Sequence, residues 1–79
     1  MGFELTEREK EVAVLLTQGY KNREIADLLS ISIHTVKAHI ESIYDEIGIS
    51  NRVLAAIILV QSETIPLPEE QLLSLKTNK

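Results

Sequence analysis

Ile33, Val36, Ile40, Ile43 and Ile47 recur at i, i+3, i+7, i+10 and i+14. That spacing gathers their side chains into one stripe of a helix. Ser32 stands just ahead of the stripe, where its hydroxyl can accept from a first-turn N–H, and Gly48 follows it, where positive φ costs little. A helix over residues 33–47 is therefore predicted, with Tyr44 extending its buried edge one turn beyond Ile40. The opposite side carries His34, Lys37, Ala38, Glu41, Ser42 and Asp45, so any chemistry this helix performs on a partner falls to those residues.

The flanking sequence predicts three further helices. Thr6 and Glu9 form a T-x-x-E capping box ahead of "VAVLL", and Gly19 supplies a left-handed stop after Gln18, giving a first helix Glu7–Gln18 with Val12, Leu15 and Leu16 inward. Asn22 is suited to cap a short second helix, Arg23–Leu29, in which Ala26 is small enough for another helix to cross closely. Ser50 or Asn51 caps a fourth helix running to about Gln61, whose almost wholly apolar "VLAAIILV" exceeds what one core contact requires. Ala55, Ala56 and Leu59 suit the body of the domain. Two stripes remain for a partner subunit, Val53, Ile57 and Val60 or Leu54, Ile58 and Gln61; the first is preferred, with Ala56 at its edge. Pro68, Glu69 and Glu70 can start a final helix to Lys76 that Leu72, Leu73 and Leu75 dock on the body, covering this face in a monomer; the alternative is a terminus without function. The expected organisation is one all-α domain over 1–65 and an extension over 66–79.

Composition narrows the function. With 79 residues and 44 % apolar content the chain supports one small core, for which a dimer contact would be a useful supplement. It has no cysteine and two isolated histidines, His34 and His39, so no zinc shell is expected, nor any cofactor. No nucleophile with a base, paired-carboxylate pocket or phosphate-cradling glycine loop points to an enzyme. The longest apolar run, Val53–Val60, falls far short of the ~20 residues that span a bilayer, and a cytoplasmic location is expected. Met1, Gly2 and Thr6 match an N-myristoylation pattern, but Thr6 already has a role as a helix cap.

Two helices joined by "SIS", the first of about two turns and the second of about four, describe a helix-turn-helix, whose second helix enters the DNA major groove by its N-terminal part. The net charge of −4 excludes binding through bulk positive charge, so local placement must decide. Thr35 and Lys37 lead the reading helix; Glu41, Asp45 and Glu46 come later. The helix starts at Lys21 and Arg23, and at Arg52, offer unpaired N–H groups beside a cation, which suits phosphate. His39 falls between the buried and exposed sides.

The segments "LTEREKEV", "GYKNREIADLLSIS", "HTVKAHIESIY" and "IGISNRVLAA" together resemble the LuxR/FixJ/GerE-type helix-turn-helix domains of bacterial response regulators and quorum-sensing activators, over roughly residues 5–62. The resemblance implies a four-helix DNA-binding domain that dimerises through its last helix on inverted or direct half-sites. It implies that Lys37 and Ala38 face base edges, that Thr35 and His39 lie at the backbone, and that Lys21, Asn22 and Arg52 fix phosphates. At Glu41 and Ser42 many relatives carry Lys, Arg, Ser or Asn, so Glu41 is the main departure of this sequence from the family; others are Glu46-Ile47 in place of Lys-Leu and Ser30 in place of a frequent glycine. Glu41 then reads a cytosine, pairs with Lys37, or limits how deeply the helix enters.

The expected function is that of an output domain of a two-component response regulator, with a receiver domain in cis, double-stranded DNA and a second copy as partners, and RNA polymerase as a further one. A stand-alone GerE-like regulator is the alternative, and a helical protein-interaction module without DNA binding is a third.

Overall fold

Four helices form among the described residues, each where a capping side chain or a left-handed residue allows it. The computed structural model describes residues 2–65. It contains α1 (Glu7–Thr17), α2 (Asn22–Leu29), α3 (Ile33–Ile47) and α4 (Arg52–Gln61), and no strand among the described residues. The predicted helix from Pro68 and the extension 66–79 lie outside the described residues.

The Thr6 hydroxyl accepts from the Glu9 N–H at 3.1 Å while the Glu9 carboxylate accepts from the Thr6 N–H at 2.9 Å, so the capping box closes at both ends. The helix ends at Thr17, one residue short of the predicted end, and Gln18 is its C-terminal cap. Gly19, at φ +92°, then lets its own N–H reach the Leu16 carbonyl and the Tyr20 N–H reach the Leu15 carbonyl, satisfying carbonyls that the helix end would orphan.

The start of α2 corrects the sequence reading. Asn22 is already helical and Lys21 is the N-cap; the Lys21 N–H donates to the Glu24 carboxylate at 2.7 Å. The Asn22 side chain is thereby released from capping. At the other end Ser30 adopts φ 58°, ψ 44°, while the Ile31 N–H bonds the Ala26 carbonyl at 3.0 Å. A left-handed residue with a Cβ is strained, and glycine relieves it at some entropic cost to the unfolded chain. Ser30→Gly should therefore raise stability by about 0.5–1 kcal/mol, read as a higher urea midpoint at unchanged slope; a lower midpoint would show that the turn is not under strain.

The bounds of α3 are those its apolar stripe predicts. The Ser32 hydroxyl accepts from the Thr35 N–H at 3.0 Å, and Gly48 at φ +81° donates to the Tyr44 carbonyl at 2.7 Å. Asn51, one of the two predicted caps, accepts from the Leu54 N–H at 2.9 Å to start α4.

The core joins Val12, Ala13 and Leu16 of α1, Ile25 and Ala26 of α2, Val36, Ile40 and Ile43 of α3, Leu59 of α4, and Ile65. Leu15 is only half-buried and Ala13 takes the interior position instead, because α1 meets both α3 and α4 and a small residue suits the closer approach. Ala26 is buried, as a close crossing requires, whereas Leu28 is 56 % exposed.

The ends add a closure that periodicity does not announce. The Phe3 N–H donates to the Thr64 hydroxyl at 2.8 Å and the Glu4 N–H to the Glu46 carboxylate at 3.1 Å, tying residues 2–5 to the ends of α3 and α4. A Cβ on Gly2 would lie 2.9 Å from the Thr64 hydroxyl oxygen, so a side chain there would force this clasp to shift.

Candidate nucleic-acid interface

With Val36, Ile40 and Ile43 fixed in the core, the geometry of α3 turns His34, Thr35, Lys37, Ala38, Glu41, Ser42 and Asp45 to solvent, and all of them are exposed. The residues expected to form a reading face thus share the solvent side of α3. His39 is half-buried at its border. The first turn is held in place: besides the cap bond, the Thr35 and Ser32 hydroxyls are 2.9 Å apart in hydrogen-bond contact. This leaves the N–H groups of Ile33 and His34 without a helical partner, aimed out of the helix start.

Charge along the face is divided as the sequence suggests. Among the described residues the ion pairs are Arg8 with Glu11 at 3.0 Å and Lys10 with Glu7 at 3.9 Å, both on α1. Lys21, Arg23 and Lys37 are exposed and make no ion pair with a described residue. In particular, Lys37 does not pair with Glu41, so the pairing alternative for Glu41 is not what the fold adopts. Further along, Glu41, Asp45, Tyr44 and Ser50 line a shallow polar cleft of ≈ 320 Å³. Glu46 has a separate task, since its carboxylate holds the Glu4 N–H. The family departure at Glu46 is thus occupied by a contact within the domain.

Arg52 and Asn22 come together. The Arg52 guanidinium donates from Nη1 to Asn22 Oδ1 at 2.8 Å and from Nη2 to the Tyr20 carbonyl at 2.7 Å. These two bonds join the start of α4 to the α1–α2 turn. Arg52 is half-buried, and its remaining donors are oriented by a guanidinium that can no longer swing freely. The Asn22 amide NH₂ likewise stays available while its oxygen is engaged. Sequence reasoning named both residues but missed this bridge, because its partners are 30 residues apart and no local pattern joins them.

On α4, Ala55 and Leu59 are fully buried and Ala56 is half-buried. The exposed apolar residues are Val53 at 69 %, Leu54 at 46 % and Ile57 at 46 %. They draw on both predicted stripes, while Ile58 and Val60 are half-buried. Beside them Thr17, Ala56, Ile57, Val60 and Gln61 line an open, mostly apolar groove of ≈ 280 Å³. No helix among the described residues is long and apolar enough to cross a membrane.

Comparison with known proteins places this arrangement. The pattern of the GerE family, described as bacterial regulatory proteins of the luxR family, matches residues 4–59. Response regulator protein VraR from Staphylococcus aureus, Staphylococcus saprophyticus and Staphylococcus epidermidis is 41 % identical to this chain over 61 residues, which is 77 % of this chain and 29 % of the relative. The chain thus spans under a third of the length of these relatives.

Proposed function

This chain belongs to the luxR family of bacterial regulatory proteins, and from that premise we propose that it binds double-stranded DNA sequence-specifically as the output domain of a response regulator. The observation that carries this reading is the exposed Lys37, which makes no ion pair with a described residue, on the ordered first half of α3, with further cations at the start of α2. In this reading α3 enters the major groove by its N-terminal half. Lys37 and Ala38 meet base edges, His34, Thr35 and His39 lie along the sugar–phosphate backbone, and Lys21, Asn22, Arg23 and Arg52 hold phosphates. Ser42 and Glu41 come next along the face. Glu41 there either accepts from a cytosine N4 or sets the depth of insertion.

The regulator acts as a homodimer through α4, using Val53, Ala56, Ile57 and Val60. A receiver domain in cis governs when that face pairs, and RNA polymerase is the partner at a promoter. The similarity to VraR response regulators supports this arrangement over a stand-alone regulator. Selection from a random duplex pool tests the proposal: it should return a repeated half-site whose spacing reports the dimer, and a pool without enrichment would reject sequence-specific binding.

Ile57 is 46 % exposed, so Ile57→Glu should leave the helical circular dichroism intact while weakening self-association at least tenfold in sedimentation equilibrium. Unchanged association would remove Ile57 from the dimer face.

A further inference from the structure

The bridge between Arg52 and Asn22 fixes more than the join of two helices. A guanidinium carries donors and no acceptor, so Asn22 has to offer its Oδ1 to Arg52 Nη1, at 2.8 Å, and the direction of its NH₂ is thereby settled. The second bond, from Arg52 Nη2 to the Tyr20 carbonyl at 2.7 Å, holds the plane of the guanidinium and with it the plane of the amide. The NH₂ itself meets no acceptor among the described residues. Both acceptors of Arg52 are neutral, and no acid among the described residues pairs with it, so its charge is not cancelled. Donation into the amide oxygen draws electron density from the amide and makes its N–H groups better donors, as in any hydrogen-bond chain. Such a chain of donors, standing on the first residue of α2 where helix N–H groups lack partners, is completed by an anion.

We propose that Arg52 and Asn22 form one coupled phosphate clamp, in which the Asn22 NH₂ makes the contact and Arg52 is a positioning residue that aims and polarises it. This rests on the DNA-binding reading above and replaces two independent clamps by a single unit. Without Arg52 the amide turns about a broad, roughly two-fold torsion and offers a phosphate its oxygen as readily as its nitrogen. Lysine in place of Arg52 keeps the charge, but one flexible ammonium lacks the planar fork that spans Asn22 Oδ1 and the Tyr20 carbonyl together. The charge of Arg52 still counts toward the salt dependence, since it stands directly behind the amide.

The full chain and its selected duplex supply the test, with anisotropy reading affinity and ethylation interference reading which phosphates are touched. Asn22→Ala should weaken binding about tenfold or more, the range for losing a hydrogen bond to a charged group. Arg52→Lys should weaken it about five- to tenfold, and the double variant no more than Asn22→Ala alone, because the two residues act as a unit. The salt slope should stay unchanged in all three, since none alters the formal charge. Both single variants should lose the same phosphate of each half-site from the interference pattern and keep the others. Costs that multiply in the double variant, or different phosphates lost, overturn the proposal. A pattern that keeps every phosphate in weakened form also overturns it, since the bridge would then be only a structural tie between α4 and the α1–α2 turn. Urea unfolding checks that each variant is folded; if Asn22→Ala is not, Asn22→Ser, which lacks the NH₂ but suits a helix start, takes its place with the same expected outcome. Failure of the unaltered chain to bind any duplex sinks the DNA-binding reading and this inference with it, whereas binding with multiplying costs sinks the inference alone.

Discussion

Ile43→Ala should lower the stability of the domain by about 3–4 kcal/mol, the transfer term and the cavity term together. Ile43 is fully buried at the centre of α3, in the cluster that joins α1, α2, α3 and α4. A domain this small has little stability in reserve, of the order of 5 kcal/mol, so the variant should approach global unfolding at room temperature. At about 4–8 °C per kcal/mol, its melting temperature should fall by at least about 12 °C. Thermal and urea unfolding followed by circular dichroism measure it. A loss below about 1 kcal/mol would mean that α3 does not hold the helices together. The solvent-facing Leu28, at 56 % exposure, sets the contrast, since a large loss is not expected there.

Lys37→Ala should weaken binding to the selected half-site about 10- to 100-fold, the range for losing a good base contact of about 1–3 kcal/mol. Lys37 is exposed, makes no ion pair with a described residue and supports no core contact, so the fold should be unaffected. The size of the loss is informative because Lys37 stands close to the helix start, where backbone N–H groups and the helix dipole reinforce its charge. Binding to unrelated duplex should change much less. If both affinities fall by the same factor, Lys37 serves as a phosphate contact and base reading rests on other residues of the face.

Those parts of the fold that are written in local pattern are legible in the amino-acid sequence alone. The bounds of α3 follow from a stripe, a serine and a glycine, and its solvent face follows from the same stripe by subtraction. The capping box at Thr6 is equally local. What escapes the sequence is contact between segments that fold side by side. Asn22 reads as a cap because asparagine is a good one, yet Arg52, remote in sequence, claims its oxygen and Glu24 serves the helix start instead. Ile65 carries no periodic signal, being a single apolar residue between a threonine and a proline, and is nonetheless buried. On α4 an apolar excess gives no phase, so the exposed arc of Val53, Leu54 and Ile57 could not be chosen from the two stripes.

The acidic balance of the chain, −4, makes one quantity the sharpest test of the proposed function. If Lys21, Arg23 and Arg52 of each subunit neutralise phosphates, with Asn22 as an uncharged contact, while the acids stand aside, a dimer neutralises roughly 4–6 phosphates and releases their counterions. The association constant for the selected duplex, measured by fluorescence anisotropy across salt, should then fall with a log–log slope of about −4 to −5, or roughly 10²–10³-fold between 50 and 200 mM. A flat salt dependence, or no binding at the lowest salt, would contradict DNA recognition by this domain.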